Sequence, residues 1–340
     1  MNIKTNDYEI FDLGDIKLLS GKVLESAKLA YKTYGTLNAN CDNVVLLPTF
    51  YTGTHKRNEG FFGSGRAIDP NTHFIVSINM FGNGLSSSPS NTPPPHDGPH
   101  FPLITLWDNV ACQHRLLTEH LGVKHIALVT GWSMAGCQAY QWGAQFPDMV
   151  NAILPFCSSA KTSPHNFVFL EGVKSALCAD QNWMDGHYSS PPIKGLKAFA
   201  RVYAGWAFSQ TFYREKLYKK LGFSKVEDLL VDWENDHIKN WDANDLLAKL
   251  ATWQANDISF GPHYKNDIKN ALRSIRARTI LIPCTQDLYF RPEDNLVESQ
   301  YIPHAEIRPY DSPWGHCAAN PGNDRGFEVE LDRGIKDLLK

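Results

Sequence analysis

The sequence predicts an α/β fold: a mostly parallel central sheet flanked by helices, with one helical insertion acting as a cap. Three observations carry this. Short buried-type apolar runs alternate with segments of helical apolar spacing early in the chain. One of those runs ends in a small-residue turn that leads directly into a helix. The alternation then stops, gives way to a long aromatic and helical stretch, and resumes, so the sheet is interrupted once and completed afterwards. On this reading residues 1–160 and 279–340 form the core domain and residues 161–278 the cap. A separate helical domain is the alternative, and the resumed alternation disfavours it.

The elements follow in order. Tyr8 to Leu19 reads as a first strand, Lys28 to Gly35 as a second with alternating character, and Asn43 to Leu47 as a buried third. His73 to Met80 is another buried strand. Leu85 to Pro102 is dense in Ser, Pro and Asn and makes a long loop, ordered or mobile. Leu103 to Leu121 has helical spacing, with Gly122 placed to end it. After the turn and its helix, Val150 to Phe156 is the next buried strand. The aromatic stretch carries Phe167, Phe169, Trp183, Phe199, Tyr203, Trp206, Trp233, Trp241 and Trp253. Thr279 to Cys284 resumes the sheet, Pro292 to Tyr301 is a helix, Ala305 to Tyr310 a last strand, and Gly326 to Leu339 an amphipathic terminal helix.

Composition narrows the function classes. The 340 residues are 43% apolar and 20% charged, ordinary for a globular protein. A net charge of −3 gives no reason to expect nucleic acid or an anionic membrane surface as partner. No apolar run reaches the ~18 residues of a membrane span. The segment Met1–Asp7 lacks the apolar core of a signal peptide. Seven cysteines without metal-type spacing read as reduced thiols in a cytoplasmic protein, and no metal site is expected.

The chemistry centres on Gly131-Trp132-Ser133-Met134-Ala135-Gly136. A strand, a sharp turn of small residues and a helix present a serine at the apex, the pattern of the nucleophile elbow in α/β-hydrolases. Alanine replaces the usual final glycine, the smallest side chain that could. A serine hydroxyl needs a base, and the base needs an orienting carboxylate. In this architecture the chain order is Ser, then Asp or Glu, then His. Asp287 follows the resumed strand and His316 follows the last one. Asp294 falls inside a helix and His304 precedes the last strand, so both rank lower. The candidate triad is Ser133, Asp287 and His316. The oxyanion hole needs two donors; the amide of Met134 at the helix start and the amide of Tyr51 in the loop after the third strand are the candidates.

Several blocks resemble the homoserine O-acetyltransferase group of the α/β-hydrolase superfamily: Tyr51-Thr52-Gly53, the elbow, Ser159-Ala160-Lys161, Ala200-Arg201, Asp242-Ala243-Asn244, and the Asp287 and His316 loops. The resemblance spans nearly the whole chain and implies an α/β-hydrolase fold with an acyl-serine intermediate. It also implies that Arg201 holds the carboxylate of an acceptor, and that the protein dimerises through its cap. Two departures matter. The family's catalytic histidine is usually followed by aspartate, and here the next residue is Cys317, an uncharged thiol that cannot pair with an ammonium. The stretches Asn79–Pro89 and Trp253–Ser259 look more like members of the family that hydrolyse simple esters.

The expected function is therefore a serine carboxylic ester hydrolase acting on small acetyl-type esters, needing no cofactor. The alternative is a homoserine O-acetyltransferase-type acyltransferase with acetyl-CoA as co-substrate. A non-catalytic binding protein on the same fold is a remote third, disfavoured by the complete set of Ser, Asp and His. The expected partners are a small-molecule ester and a second copy of the chain.

Overall fold

The computed structural model describes residues 7–340. The reading of Met1–Asp7 as lacking a leader core therefore concerns, Asp7 apart, residues outside those described. Among the described residues the strands are β1 (Glu9–Lys17), β2 (Val23–Tyr34), β3 (Val44–Pro48), β4 (Phe74–Ile78), β5 (Ile126–Trp132), β6 (Ala152–Phe156), β7 (Arg278–Leu281) and β8 (Ala305–Ile307). They form a single sheet in the order β1-β2-β4-β3-β5-β6-β7-β8. The β1–β2 and β2–β4 pairs are antiparallel, and every pair from β4 through β8 is parallel. The physical cause is visible in the sequence. β3, β4 and β6 are buried at every position, as strands covered on both faces must be. β1, at the sheet edge, is mostly exposed and buries only Leu13 and Ile16.

The helices are α1 (Leu106–Arg115), α2 (Met134–Gln145), α3 (Pro164–Cys178), α4 (Ile193–Ala207), α5 (Gln210–Arg214), α6 (Val226–Asn240), α7 (Ala243–Gln254), α8 (Ile268–Arg273), α9 (Pro292–Ser299) and α10 (Arg325–Leu339). None is long and apolar enough to cross a membrane. The run α3–α8 lies between β6 and β7 in the chain and is wholly helical, apart from short turns and one isolated bridge.

Several element boundaries differ from the sequence reading, and some of the differences have a plain cause. β2 begins at Val23, five residues earlier, because Leu24 and Ala27 are buried beside β1. α1 begins at Leu106, where Thr105 and Asp108 cap each other's backbone amides. Its last turn widens into a π-turn over Leu116–His120. β8 ends at Ile307, although Tyr310 still bridges to Cys284.

The Ser-rich loop is tied down. Ser86 Oγ accepts from the Ala30 amide and donates to the Asn79 carbonyl, and Asn91 Nδ2 donates to the Gly84 and Ser86 carbonyls. Its Ser90 reaches the cap, where amide and hydroxyl both donate to Asp245.

Cap and core share one apolar cluster. Phe169 of α3 stacks on Tyr289 at 5.0 Å, and Trp253 of α7 stacks on Phe290 at 5.4 Å. Burying side chains of this size stabilises the contact by roughly 1.5–3 kcal/mol each, so the cap is packed as firmly as an ordinary core. Its two ends meet where Lys161 pairs with Asp257 at 2.8 Å and the Ile258 amide donates to the Ala160 carbonyl. The stretch Trp253–Ser259 thus closes the insertion. Asp242 caps α7 and Asn244 Nδ2 donates to the Gly186 carbonyl, so the Asp-Ala-Asn block also serves the cap's own fold.

Candidate active site

A cavity of about 780 Å³ opens between the carboxyl end of the sheet and the cap, and Ser133 and His316 both line it. Ser133 stands between β5 and α2 with φ 60° and ψ −127°, a conformation that L-residues avoid. The neighbours explain how the turn tolerates it. A Cβ on Gly131 would lie 2.3 Å from the Ala135 Cβ, and one on Gly136 would lie 2.6 Å from the Ser158 Cβ. Glycine at 131 is what makes room for alanine at 135. The Ser133 amide donates to the Phe156 carbonyl at 3.1 Å, and its carbonyl accepts from the Cys137 amide as the first bond of α2.

His316 sits in a short 3₁₀ turn, Gly315–Ala319, just after Gly315 at φ 62°. A Cβ on that glycine would lie 2.7 Å from the Ser209 amide nitrogen, so the backbone of the cap presses on this turn. His316 Nδ1 is 2.6 Å from Asp287 Oδ2. The other carboxylate oxygen of Asp287 accepts the amides of Tyr289 and Phe290, each at 3.1 Å. The carboxylate is fully buried and fixed at both oxygens. A bond this short between Nδ1 and a carboxylate places the proton on Nδ1 and leaves Nε2 as the acceptor. The imidazole stacks on Trp132 at 5.1 Å and lies 4.5 Å from the Tyr289 ring.

Met134 occupies the first position of α2, where an amide has no partner inside its own helix. Among the described residues neither its amide nor that of Tyr51 donates to any acceptor. Tyr51 lines the cavity; its hydroxyl donates to the Leu246 carbonyl at 2.9 Å. Trp132 Nε1 and His237 Nε2, on two residues of the lining, are buried without a hydrogen-bond partner among the described residues.

Arg201 requires a correction. It lies on α4, outside the cavity lining, and its guanidinium pairs with Glu227 and Glu234 of α6. Its hydrogen bonds to Glu227 and Glu234 raise its pKa further above the ordinary value. Its charge is thus met by two carboxylates of the cap, away from the cavity. The arginine that does line the cavity is Arg57, which the sequence reading passed over. Its guanidinium lies 5.1 Å from the Phe50 ring and 5.6 Å from the Trp132 ring, and its Nη1 donates to the Thr52 carbonyl at 3.2 Å. Among the described residues it has no carboxylate partner within ion-pair distance. Nothing in His55–Asn58 announces this, because the rings beneath it come from the loop after β3 and from the end of β5.

Cys317 lines the cavity with its thiol pushed up to about 12 by burial, so it is neutral. Cys157, Asp287 and His316 offer ligand-type atoms within 4.8 Å of one another. That donor set does not suit a metal: Nδ1 and Oδ2 are spent on each other, and burial holds the Cys157 thiol well above its ordinary value. His304 and Asp294 lie outside the cavity lining.

The sequence matches the family described as alpha/beta hydrolase fold over residues 42–319. It is 35% identical to an ethyl acetate hydrolase of Pseudomonas veronii, across 98% of this chain and 95% of that protein. The solved structure of an acetylester hydrolase from Corynebacterium glutamicum superposes with a TM-score of 0.94 at 34% identity, covering 98% of this chain and 95% of that one. A homoserine O-acetyltransferase of Trichormus variabilis is 30% identical over 89% of this chain and 86% of its own length. The chain belongs to the α/β-hydrolase fold family, in its homoserine O-acetyltransferase-like group and nearer to the ester-hydrolysing members.

Proposed function

We propose that this protein hydrolyses small acetyl-type carboxylic esters through an acyl-serine on Ser133. The observation that carries the reading is the 2.6 Å bond from His316 Nδ1 to Asp287, set behind the cavity that also holds the strained Ser133. In this mechanism His316 Nε2 takes the Ser133 proton as Oγ attacks the ester carbonyl. The amides of Tyr51 and Met134 receive the developing oxyanion. His316 then returns the proton to the departing alcohol. Water, deprotonated by the same imidazole, attacks the acetyl-serine; the C–Oγ bond then breaks, His316 returns the proton to Ser133 Oγ, and acetic acid leaves. The sequence of steps needs no cofactor.

Hydrolysis is favoured over acetyl transfer by two features. The neutral Cys317 stands where an acceptor's ammonium would want a carboxylate, and Arg201 is already paired on the cap. The ester-hydrolysing relatives are also the more similar ones reported above. One experiment tests the choice. A single acetyl donor is offered to water and to homoserine together, and the products are partitioned. Acetate should dominate; efficient transfer from acetyl-CoA to homoserine, outrunning hydrolysis, would reverse the assignment.

We further infer a homodimer joined through the cap, supported by exposed Phe167 and Val168 on α3 and Val202 on α4. Analytical ultracentrifugation tests this, and a sedimentation coefficient of a monomer at micromolar protein would refute it. A cytoplasmic setting agrees with seven cysteines that form no disulfide. Neither nucleic acid nor a membrane enters the proposal.

A further inference from the structure

Lys249 is a lysine with no solvent exposure, and the acyl-serine chemistry proposed above makes no use of it. Burying an ammonium is costly unless it is paired. The carboxylate four residues earlier, Asp245, takes its hydrogen bonds from the amide and hydroxyl of Ser90 and supports the ammonium only through space. Among the described residues Lys249 has one hydrogen-bond acceptor, the carbonyl of Tyr51. Its ammonium otherwise lies 3.9 Å from the Trp241 ring and 5.3 Å from the Tyr51 ring, a cation–π setting that partly replaces lost hydration. Burial lowers its pKa to about 7. A charge so disfavoured is a poor choice for a residue that only fills space.

What it holds is Tyr51, whose amide is one of the two oxyanion donors proposed above. Tyr51 is gripped twice by α7: Lys249 takes its carbonyl, and its own hydroxyl donates to the Leu246 carbonyl at 2.9 Å. Fixing a residue's carbonyl and the tip of its side chain anchors its Cα and the peptide plane that follows it, and so the place of the nitrogen from which its N–H projects. The stem of Lys249 is itself held, since a Cβ on Gly82 would lie 3.1 Å from its Cγ. We propose that Lys249 is a positioning residue which, from the cap, fixes the Tyr51 backbone so that its amide meets the developing oxyanion. The cap is then part of the catalytic geometry as well as a cover. The inference rests on the acyl-serine reading above.

A displacement of about 1 Å at such a donor costs up to ~10²-fold, and it is felt in the transition state more than in the bound ester. Lys249→Met keeps the stem and removes the donor. Turnover of p-nitrophenyl acetate is measured per reactive serine, counted by end-point labelling with a fluorophosphonate. We expect kcat per labelled site to fall about 10- to 100-fold with KM within about threefold. Lys249→Gln, which retains a polar donor, should fall between wild type and Lys249→Met, and it serves as the reporter if the methionine variant does not fold. A loss of less than tenfold per labelled site, or one expressed in KM or only in the number of labelled sites, overturns the proposal. Wild-type protein that neither labels nor hydrolyses the ester would instead sink the acyl-serine reading, so the two failures are separable.

Discussion

Asp287→Asn is the most pointed test of the site, because the structure dictates how the new amide must sit. Asp287 Oδ1 accepts two backbone amides at 3.1 Å, and Oδ2 faces His316 Nδ1 at 2.6 Å. Turning an NH2 toward Tyr289 and Phe290 would oppose donor to donor and forfeit two hydrogen bonds, each worth roughly 0.5–1.5 kcal/mol with a further penalty for buried amides left unpaired. The asparagine oxygen therefore stays on that side and its NH2 faces His316. Nδ1 must then accept, the imidazole proton moves to Nε2, and the nitrogen facing Ser133 has no lone pair to take its proton. A wrong tautomer of this kind reduces turnover by about 10⁴, or roughly 5.5 kcal/mol of barrier. The assay is kcat/KM with p-nitrophenyl acetate, alongside a thermal melt to show that the fold survives. A variant within tenfold of wild type would refute the reasoning, since it would mean that Asp287 does not govern the tautomer.

The remaining predictions concern the other parts of the site. Ser133→Ala and His316→Ala should each lower ester turnover by about 10⁴ or more, whereas His304→Ala, outside the cavity, should leave it near wild type; the comparison needs only rates on folded protein. Arg57→Gln should reduce kcat/KM for a carboxylate-bearing ester such as monoethyl succinate relative to ethyl acetate, by about 10- to 100-fold for one lost charged hydrogen bond. Arg201→Ala should leave that ratio unchanged and cost about 1 kcal/mol or less of stability for its half-exposed pairs; a shift in the ratio would return Arg201 to the site. Glu298 is buried with its pKa raised to about 7 by desolvation, against the hydrogen bonds from Tyr140, Asn295 and Ala160. The folded protein therefore binds the extra proton between the ordinary carboxyl range and about 7, so stability should fall as pH rises through that window. Glu298→Gln should flatten the slope of denaturation midpoint against pH from 5 to 7.5, and an unaltered slope would count against the buried acid.

The elbow was legible in the sequence because its determinants are local. A strand's apolar run, a turn that only small residues permit and a helix start all lie within twelve residues, and the clash that a Cβ on Gly131 would make with Ala135 is set by that short stretch. The order of Ser133, Asp287 and His316 was legible for a related reason, since each follows a strand that its apolar pattern marks, and parallel strands bring their carboxyl ends together. The loop from Leu85 to Pro102 could be read as ordered or mobile until its serines found Ala30, Asn79 and Asp245. The partners of the cations were not legible at all. Arg201 lies within a block that resembles the family's, yet its charge is met by Glu234, 33 residues on. Arg57 faces the cavity because Phe50 and Trp132 support it from below. Lys249 reaches a carbonyl 198 residues away. Periodicity and turn chemistry act over a few residues and so are written along the chain. Where a long charged side chain finds its partner depends on how the cap docks on the core, and that is settled only when the apolar faces of both have packed.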